Sequence, residues 1–190
     1  MMNTDIAILV RAYDRDASYL NELIESLSGF YTVVGYDTIA TLPPVEAIQH
    51  CDYFFTGGYT KGKQGGDLFY TKNGLGVLCD KYKYTLSITG DAVIALPENI
   101  PKLIQLLGDD DLIAPQWRRD CGTVMYFGLT QKLYLAFSDI IDERPQLERR
   151  FTKALKSNNI KYAISECRAG NLGMWGEVLG YRRRSNNYPQ

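Results

Sequence analysis

The sequence predicts a single α/β domain, with helices covering both faces of a mostly parallel, twisted sheet. Three observations support this. Apolar runs alternate with amphipathic stretches, starting with Ile6-Ala7-Ile8-Leu9-Val10 and then a stripe of Leu20, Leu23, Ile24 and Leu27, and that order is characteristic of β-α-β units. The first run is continuously apolar rather than alternating, as a strand buried on both faces requires. The chain has 190 residues, 45% hydrophobic and 23% charged, enough for one sizeable core, and no internal repeat or low-complexity linker divides it.

Local chemistry predicts each element in turn. Residues 6–10 form a strand that Asp14-Arg15-Asp16 breaks, and 17–27 form a helix with its apolar stripe at the 3.6-residue period and Gly29 at its end. Residues 30–35 are a second strand closed by Tyr36-Asp37, and Pro43-Pro44 opens a short helix over 45–50. A third strand over 52–56 runs into a Gly/Lys-rich loop, 56–66, followed by a helix over 67–80 in which Asn73-Gly74 is a weak point. A fourth strand spans 84–89, and a helix spans 97–107 with Pro97 at its start and Gly108 past its end. Residues 112–114 predict a short strand, 123–129 a strand that pairs elsewhere in the sheet, 145–157 a helix and 161–164 a strand. Residues 1–165 are thus the core, and 166–190 form a Gly/Arg-rich tail without clear periodicity.

Composition narrows the function. A net charge of −1 gives no electrostatic reason to expect nucleic acid or an anionic membrane as partner, and Arg182-Arg183-Arg184 reads as a solvated tail. Cys51, Cys79, Cys121 and Cys167 are scattered, and the single histidine, His50, adds too few ligands for a zinc site. Reduced, mostly buried thiols in a cytoplasmic protein are expected. The apolar run after Met-Met-Asn-Thr-Asp is too short to span a membrane and lacks the basic start of a signal peptide.

Two features carry chemistry. Gly57 and Gly62-Lys63 match the start of a Walker A loop after an apolar strand, but Gln64 stands where a Ser or Thr hydroxyl would reach magnesium. The strand Tyr84-Thr85-Leu86-Ser87-Ile88-Thr89 leads to Asp91, and an acid at the carboxyl edge of a buried strand is how open α/β sheets set a metal ligand beside a bound phosphate. The structural alternatives are a turn aspartate at Asp91, a solvated turn at Asp109-Asp110-Asp111, and core packing for Trp117 and Trp175, which otherwise could stack on sugar rings.

Several segments, in order, resemble the A-fold glycosyltransferases of the family 2-like, nucleotide-diphospho-sugar transferase type. They are Ile8-Leu9-Val10-Arg11-Ala12-Tyr13-Asp14-Arg15-Asp16 with Tyr19-Leu20 and Leu23-Ile24-Glu25-Ser26-Leu27, then Lys61-Gly62-Lys63, Asn73-Gly74-Leu75, Tyr84 to Asp91, and Glu148-Arg149-Arg150 with Phe151 and Leu155. The resemblance spans about residues 5–164 and implies a small, divergent, Rossmann-like nucleotide-diphospho-sugar transferase fold.

It further implies that Ala12, Tyr13, Arg15, Asp37, Lys61, Lys63 and Thr89 bind a nucleotide-sugar. Asp37 would accept from a pyrimidine N–H, Arg15 would lie near ribose or phosphate, and a divalent cation (Mn or Mg) on Asp91 would stabilise the leaving pyrophosphate. Glu148 would be the catalytic base for an unknown acceptor. Thr89 stands where the family has the first acid of its Asp-x-Asp pair; a threonine hydroxyl can bond ribose but is a poorer ligand for Mg²⁺ or Mn²⁺. The expected activity is therefore sugar transfer from a nucleotide-diphospho-sugar, with a homo-oligomer or accessory subunit completing the site. The alternatives are a non-catalytic nucleotide-sugar-binding relative and a P-loop-like phosphotransferase.

Overall fold

β1 (Ile6–Tyr13) lies inside the sheet and organises the rest; every residue from Ile6 to Ala12 is buried. The computed structural model describes residues 5–13, 16–37, 45–57, 63–117, 120–141, 146–165 and 174–183. After β1 come α1 (Ala17–Ser26), β2 (Tyr31–Asp37), α2 (Val45–His50), β3 (Tyr53–Phe55), α3 (Lys63–Leu78) and β4 (Tyr84–Thr89). β1 pairs in parallel with β2 on one side and β4 on the other, and β2 pairs in parallel with β3.

The second half adds β5 (Ala92–Val93), α4 (Lys102–Leu107), β6 (Leu112–Trp117), β7 (Asp120–Cys121), β8 (Tyr126–Leu129), α5 (Thr130–Ser138), α6 (Leu147–Ser157), β9 (Tyr162–Ser165), α7 (Met174–Leu179) and β10 (Arg182–Arg183). The sheet order is β3-β2-β1-β4-β8-β6-β7, with β9 parallel to β6. β8 runs antiparallel to both β4 and β6. β5 and β10 form a separate antiparallel ribbon.

The alternation of β1 side chains defines the two layers. Ile6, Ile8, Val10 and Ala12 pack in one core with Leu20, Leu23 and Ile24 of α1, Leu103 of α4 and Trp175 and Leu179 of α7. Ala7 and Leu9 face the other, with Leu68, Leu75 and Leu78 of α3, Phe137 of α5 and Phe151 and Leu155 of α6. Helices on both faces of a mostly parallel sheet are what the periodicity predicts.

Several boundaries differ from expectation for local reasons. α3 starts at Lys63, inside the predicted loop, and continues through Asn73-Gly74. Gly74 faces the Leu9 side chain so closely that any Cβ would collide with it, so the apparent weak point is where helix meets strand. α5 carries no side-chain cap to announce it, although Leu133, Ala136 and Phe137 lie on one buried face. α7 emerges within the Gly-rich tail because Trp175 and Leu179, one turn apart, are both buried. The 123–129 stretch contributes β8, which is inserted antiparallel between β4 and β6.

Of the cysteines, Cys121 is buried whereas Cys51 and Cys79 are half-buried, so the thiols are less enclosed than expected; Cys167 lies outside the described residues. Asp111 does more than solvate a turn, since its carboxylate accepts the Lys161 N–H at 2.9 Å at the entry to β9. Among the described residues no helix is long and apolar enough to cross a membrane.

Two tests follow from this packing. A Cβ at Gly128 in β8 would lie 2.5 Å from the Asp111 carbonyl oxygen and 3.0 Å from Leu112 Cα, both backbone atoms that cannot swing aside. Gly128→Ala should lower the unfolding free energy by about 1–3 kcal/mol, read as a lower urea midpoint with an unchanged m-value. Burial pushes the Cys121 thiol up to about 11 despite its hydrogen bond with Thr152. The folded chain holds this proton more tightly than the unfolded one, so its stabilising share is intact below about pH 9 and is lost as pH rises through about 11. Between those values wild type should lose about 2 kcal/mol more stability than Cys121→Ala does, measured by urea denaturation at stepped pH.

Candidate functional site

The sheet reverses its winding between β1 and β4. From β1 the chain steps outward to β2 and β3 with α1 and α2 in one core, then returns with α3 in the other core to place β4 beside β1. Crevices at the carboxyl edge of such a switch point bind ligands in open α/β sheets. β1 ends there at Ala12-Tyr13, β2 at Asp37 and β4 at Thr89, with Arg11 in register with Thr89 and Tyr13 in register with Asp37.

The deepest group at this edge is Arg11, 1% exposed. Its Nη1 donates to Asp67 Oδ1 of α3 at 3.1 Å, and its Nη2 donates to the carbonyls of Thr123 at 2.6 Å and Val124 at 3.0 Å. The guanidinium also lies 5.5 Å from the centre of the Tyr126 ring. Burial alone would lower its pKa, but Asp67, Tyr126 and Tyr13 outweigh that and hold it above the ordinary value. The phenol of Tyr13 has its pKa raised, first by burial and then by the charge and hydrogen bond of Asp67.

Thr89 and Asp91 form a second buried pair. The Thr89 hydroxyl donates to Asp91 Oδ1 at 2.6 Å, with the residues 7% and 2% exposed. Gly90 between them bonds its N–H to the Arg11 carbonyl at 2.8 Å, and a Cβ there would lie 2.8 Å from Ala12 Cβ. Asp16 is also buried and accepts the Tyr13 N–H at 2.9 Å, which closes the turn over the end of β1. Half-buried Glu148, in the first turn of α6, accepts from the Thr123 hydroxyl at 3.2 Å.

The structure therefore gathers Tyr13, Asp37, Thr89 and Asp91 at one edge and links Glu148 to them through Thr123 and Arg11. The Ala12 side chain turns into the α1 core, so only its backbone reaches this edge. Lys63 begins α3, while Arg15 and Lys61 lie outside the described residues, as does most of the Walker A-like loop. Trp175 is fully buried in the core. For the expected Mn or Mg, no three His, Cys, Asp or Glu side chains converge among the described residues. Asp91, the expected ligand, has one oxygen already bonded to Thr89, and the described side chains do not make a protein-built metal cage around it.

Arg11, Asp67, Thr123 and Asp16 were not singled out by sequence reasoning. Arg11 left a signal, since it is a charge inside an otherwise apolar strand and arginine is almost never fully buried unless paired. Asp67 and Thr123 left none, because their role comes from the fold. A cavity of about 630 Å³, lined by Asp80, Lys81, Lys83, Gln131 and Lys132 among others, opens at the opposite, amino end of β4. That is roughly 20 Å from Thr89 at the usual strand rise, so it is separate from this site.

No protein family and no curated protein matches the chain by sequence. Solved structures do match. A protein from Desulfovibrio desulfuricans assigned as a nucleotide-diphospho-sugar transferase aligns with TM-score 0.55 and 11% identity over 85% of this chain and 79% of that one. The 4-diphosphocytidyl-2C-methyl-D-erythritol synthase of Anaerococcus prevotii aligns with TM-score 0.57 and 9% identity over 90% of both chains. A CMP:2-keto-3-deoxy-manno-octonic acid synthetase complexed with CTP aligns with TM-score 0.53 and 10% identity over 86% of this chain and 90% of that one. At such identities the likeness is one of fold, and the fold is nucleotide-diphospho-sugar transferase-like.

Removing the buried cation tests the site's architecture. Arg11→Met leaves Asp67 and two carbonyls without their donor and should cost about 3–5 kcal/mol in urea denaturation. Adding Asp67→Asn to Arg11→Met should recover part of that loss, which a double-mutant cycle would measure.

Proposed function

We propose that this chain binds a nucleotide-diphospho-sugar at the carboxyl edge of β1 and β4 and transfers the sugar to an acceptor hydroxyl. The supporting observation is the convergence of Tyr13, Asp37, Thr89 and Asp91 at the topological switch point, with Glu148 held to the same cluster through Thr123. In this reading Asp37 accepts from the base and Thr89 and Asp91 meet the ribose, while the phosphates fall to Arg15, Lys61 and Lys63, the basic residues that the sequence resemblance implies. The acceptor oxygen forms its bond to the anomeric carbon as the bond from that carbon to the diphosphate oxygen breaks. Glu148 takes the acceptor proton, and the nucleoside diphosphate leaves with the bonding pair.

A second reading is nucleotidyl transfer from a nucleoside triphosphate to a sugar phosphate. The names of two matched structures support it, a diphosphocytidyl-methylerythritol synthase and a CMP-sugar synthetase complexed with CTP. The readings differ in what leaves: nucleoside diphosphate in the first, pyrophosphate in the second. Incubating the protein with UDP-, GDP- and CDP-sugars, and separately with CTP or UTP plus sugar 1-phosphates, should release nucleoside diphosphate from a nucleotide-sugar. Glu148→Gln should lower that release by about 10²-fold or more while leaving donor affinity unchanged. Pyrophosphate release instead would transfer the assignment to the second reading, and donor binding without any release would make the chain a binding module.

A further inference from the structure

The cavity at the amino end of β4 plays no part in the proposed transfer, yet its lining is strongly charged. It holds about 630 Å³, within the range of about 300–1,000 Å³ usual for small-ligand sites. Two segments build it: residues 79–83, which join α3 to β4, and residues 129–135, which end β8 and open α5. Among the described lining residues, three ammonium groups, of Lys81, Lys83 and Lys132, stand against one carboxylate, of Asp80. Asp80 already engages the Cys79 thiol, whose pKa is raised first by burial and then by this carboxylate. None of the three lysines has a carboxylate partner among the described residues. In a chain of net charge −1, that is a local excess of positive charge around one hollow.

The backbone holds this frame in place. The Lys81 and Tyr82 N–H groups both bond the Leu78 carbonyl, at 2.9 and 3.0 Å, so the chain leaves α3 in a tight turn. The Thr130 N–H bonds the Lys83 carbonyl at 3.0 Å, which ties that turn to the first residue of α5. The Thr85 and Thr130 hydroxyls bond each other at 2.9 Å and tie β4 to the same point. Lys83 Nζ lies 5.1 Å from the centre of the Tyr84 ring, a contact that restrains its flexible stem. Lys132 is half-buried in the first turn of α5, a helix without a side-chain cap, so the positive end of that helix adds to the lysines. The rest of the wall is less polar: it includes Leu129, Leu135 and Tyr82, whose ring stacks on Tyr31 at 4.9 Å between centres.

We propose that this cavity is a second binding site, for a small phosphate ester, with Lys81, Lys83 and Lys132 on the phosphate and Leu129, Leu135 and Tyr82 against the organic part. A phosphate monoester carries a charge of about −1.5 to −2 at pH 7, which matches three ammonium groups offset by one carboxylate. A hollow of this size suits a small molecule, whereas a nucleic acid or a membrane needs an extended basic face. Inorganic phosphate alone would leave the apolar wall uncovered. The site is separate from the β1–β4 edge and does not depend on the transfer proposed there.

The test is isothermal titration of the full chain with glucose 6-phosphate, phenyl phosphate and inorganic phosphate in EDTA, with amide NMR shifts to place the ligand. Wild type is expected to bind at least one ester more tightly than inorganic phosphate, with an affinity that falls as KCl is raised. The preferred ester tells whether the organic part is a sugar or an aromatic ring. Amides of residues 81–83 and 130–132 should shift, and those of 89–91 should not. K83Q/K132Q, at an unchanged melting temperature, should bind that ester about tenfold more weakly or worse. Should the double variant fail to fold, K83Q alone alters an exposed side chain and should show the same loss in smaller measure. K102Q, at an exposed position of α4 on the other face of the sheet, should bind as wild type does. Wild-type affinity in the cavity variants, an equal loss in K102Q, shifts confined to 89–91, inorganic phosphate bound as tightly as either ester, or no binding at all overturns the proposal. Each of those results leaves the proposed function standing.

Discussion

The buried guanidinium of Arg11 is the interaction on which the site's geometry depends. Taking a cation out of water costs several kcal/mol, and the arrangement persists because each Nη has a strong acceptor. Those acceptors belong to different parts of the chain. Asp67 is on α3, and the Thr123 and Val124 carbonyls are on the segment that enters β8. One side chain on the central strand thus sets where a helix and a connecting segment stand above the sheet. Because Thr123 also donates to Glu148, the position of α6 is coupled to the same point.

The antiparallel insertion of β8 makes this possible. A strand that ran parallel to β4 would begin at the amino edge of the sheet, far from the carboxyl ends of β1 and β4. Running the other way, β8 begins at the edge where β1 and β4 end, and residues 122–125 arrive beside Arg11. The cost is steric. Gly128, squeezed between β4 and β6, must be a glycine because Asp111 and Leu112 backbone atoms occupy the space of a side chain. Topology, a cramped glycine and the clamp on Arg11 are one arrangement seen at three scales.

This division explains what could be read beforehand. The alternation of elements, the central strand and the two helix-covered faces were legible because apolar periodicity is local and survives without knowledge of neighbours. The carboxyl-edge cluster of Tyr13, Asp37, Thr89 and Asp91 was legible too, because ordered motifs mark strand ends. Asp67 and Thr123 were not, since nothing in their own neighbourhoods distinguishes them from surface residues. β4 was read correctly as a buried strand, although its composition alone argues otherwise. Thr85, Ser87 and Thr89 alternate with Tyr84, Leu86 and Ile88, a pattern that ordinarily means one wet face. Here every residue of the strand is buried. The polar face finds partners inside the protein: Thr85 bonds the Thr130 hydroxyl at 2.9 Å, and Thr89 bonds Asp91. Arg182 is solvated as expected, but the pairing of its backbone with β5 was not legible, because a two-residue strand has no periodicity.

The bond between Thr89 and Asp91 then has a consequence for what the edge can recognise. A hydroxyl offers one donor and two acceptor lone pairs, and Thr89 spends its donor on Asp91. Toward a ligand, Thr89 and Asp91 can therefore only accept. A ribose hydroxyl or a base N–H can donate to them, whereas a phosphate has only lone pairs and negative charge to present. In an Asp-x-Asp pair a cation bridges that mismatch between acid and phosphate. Of the ligand proposed above, the pair thus suits the nucleoside end rather than the phosphates.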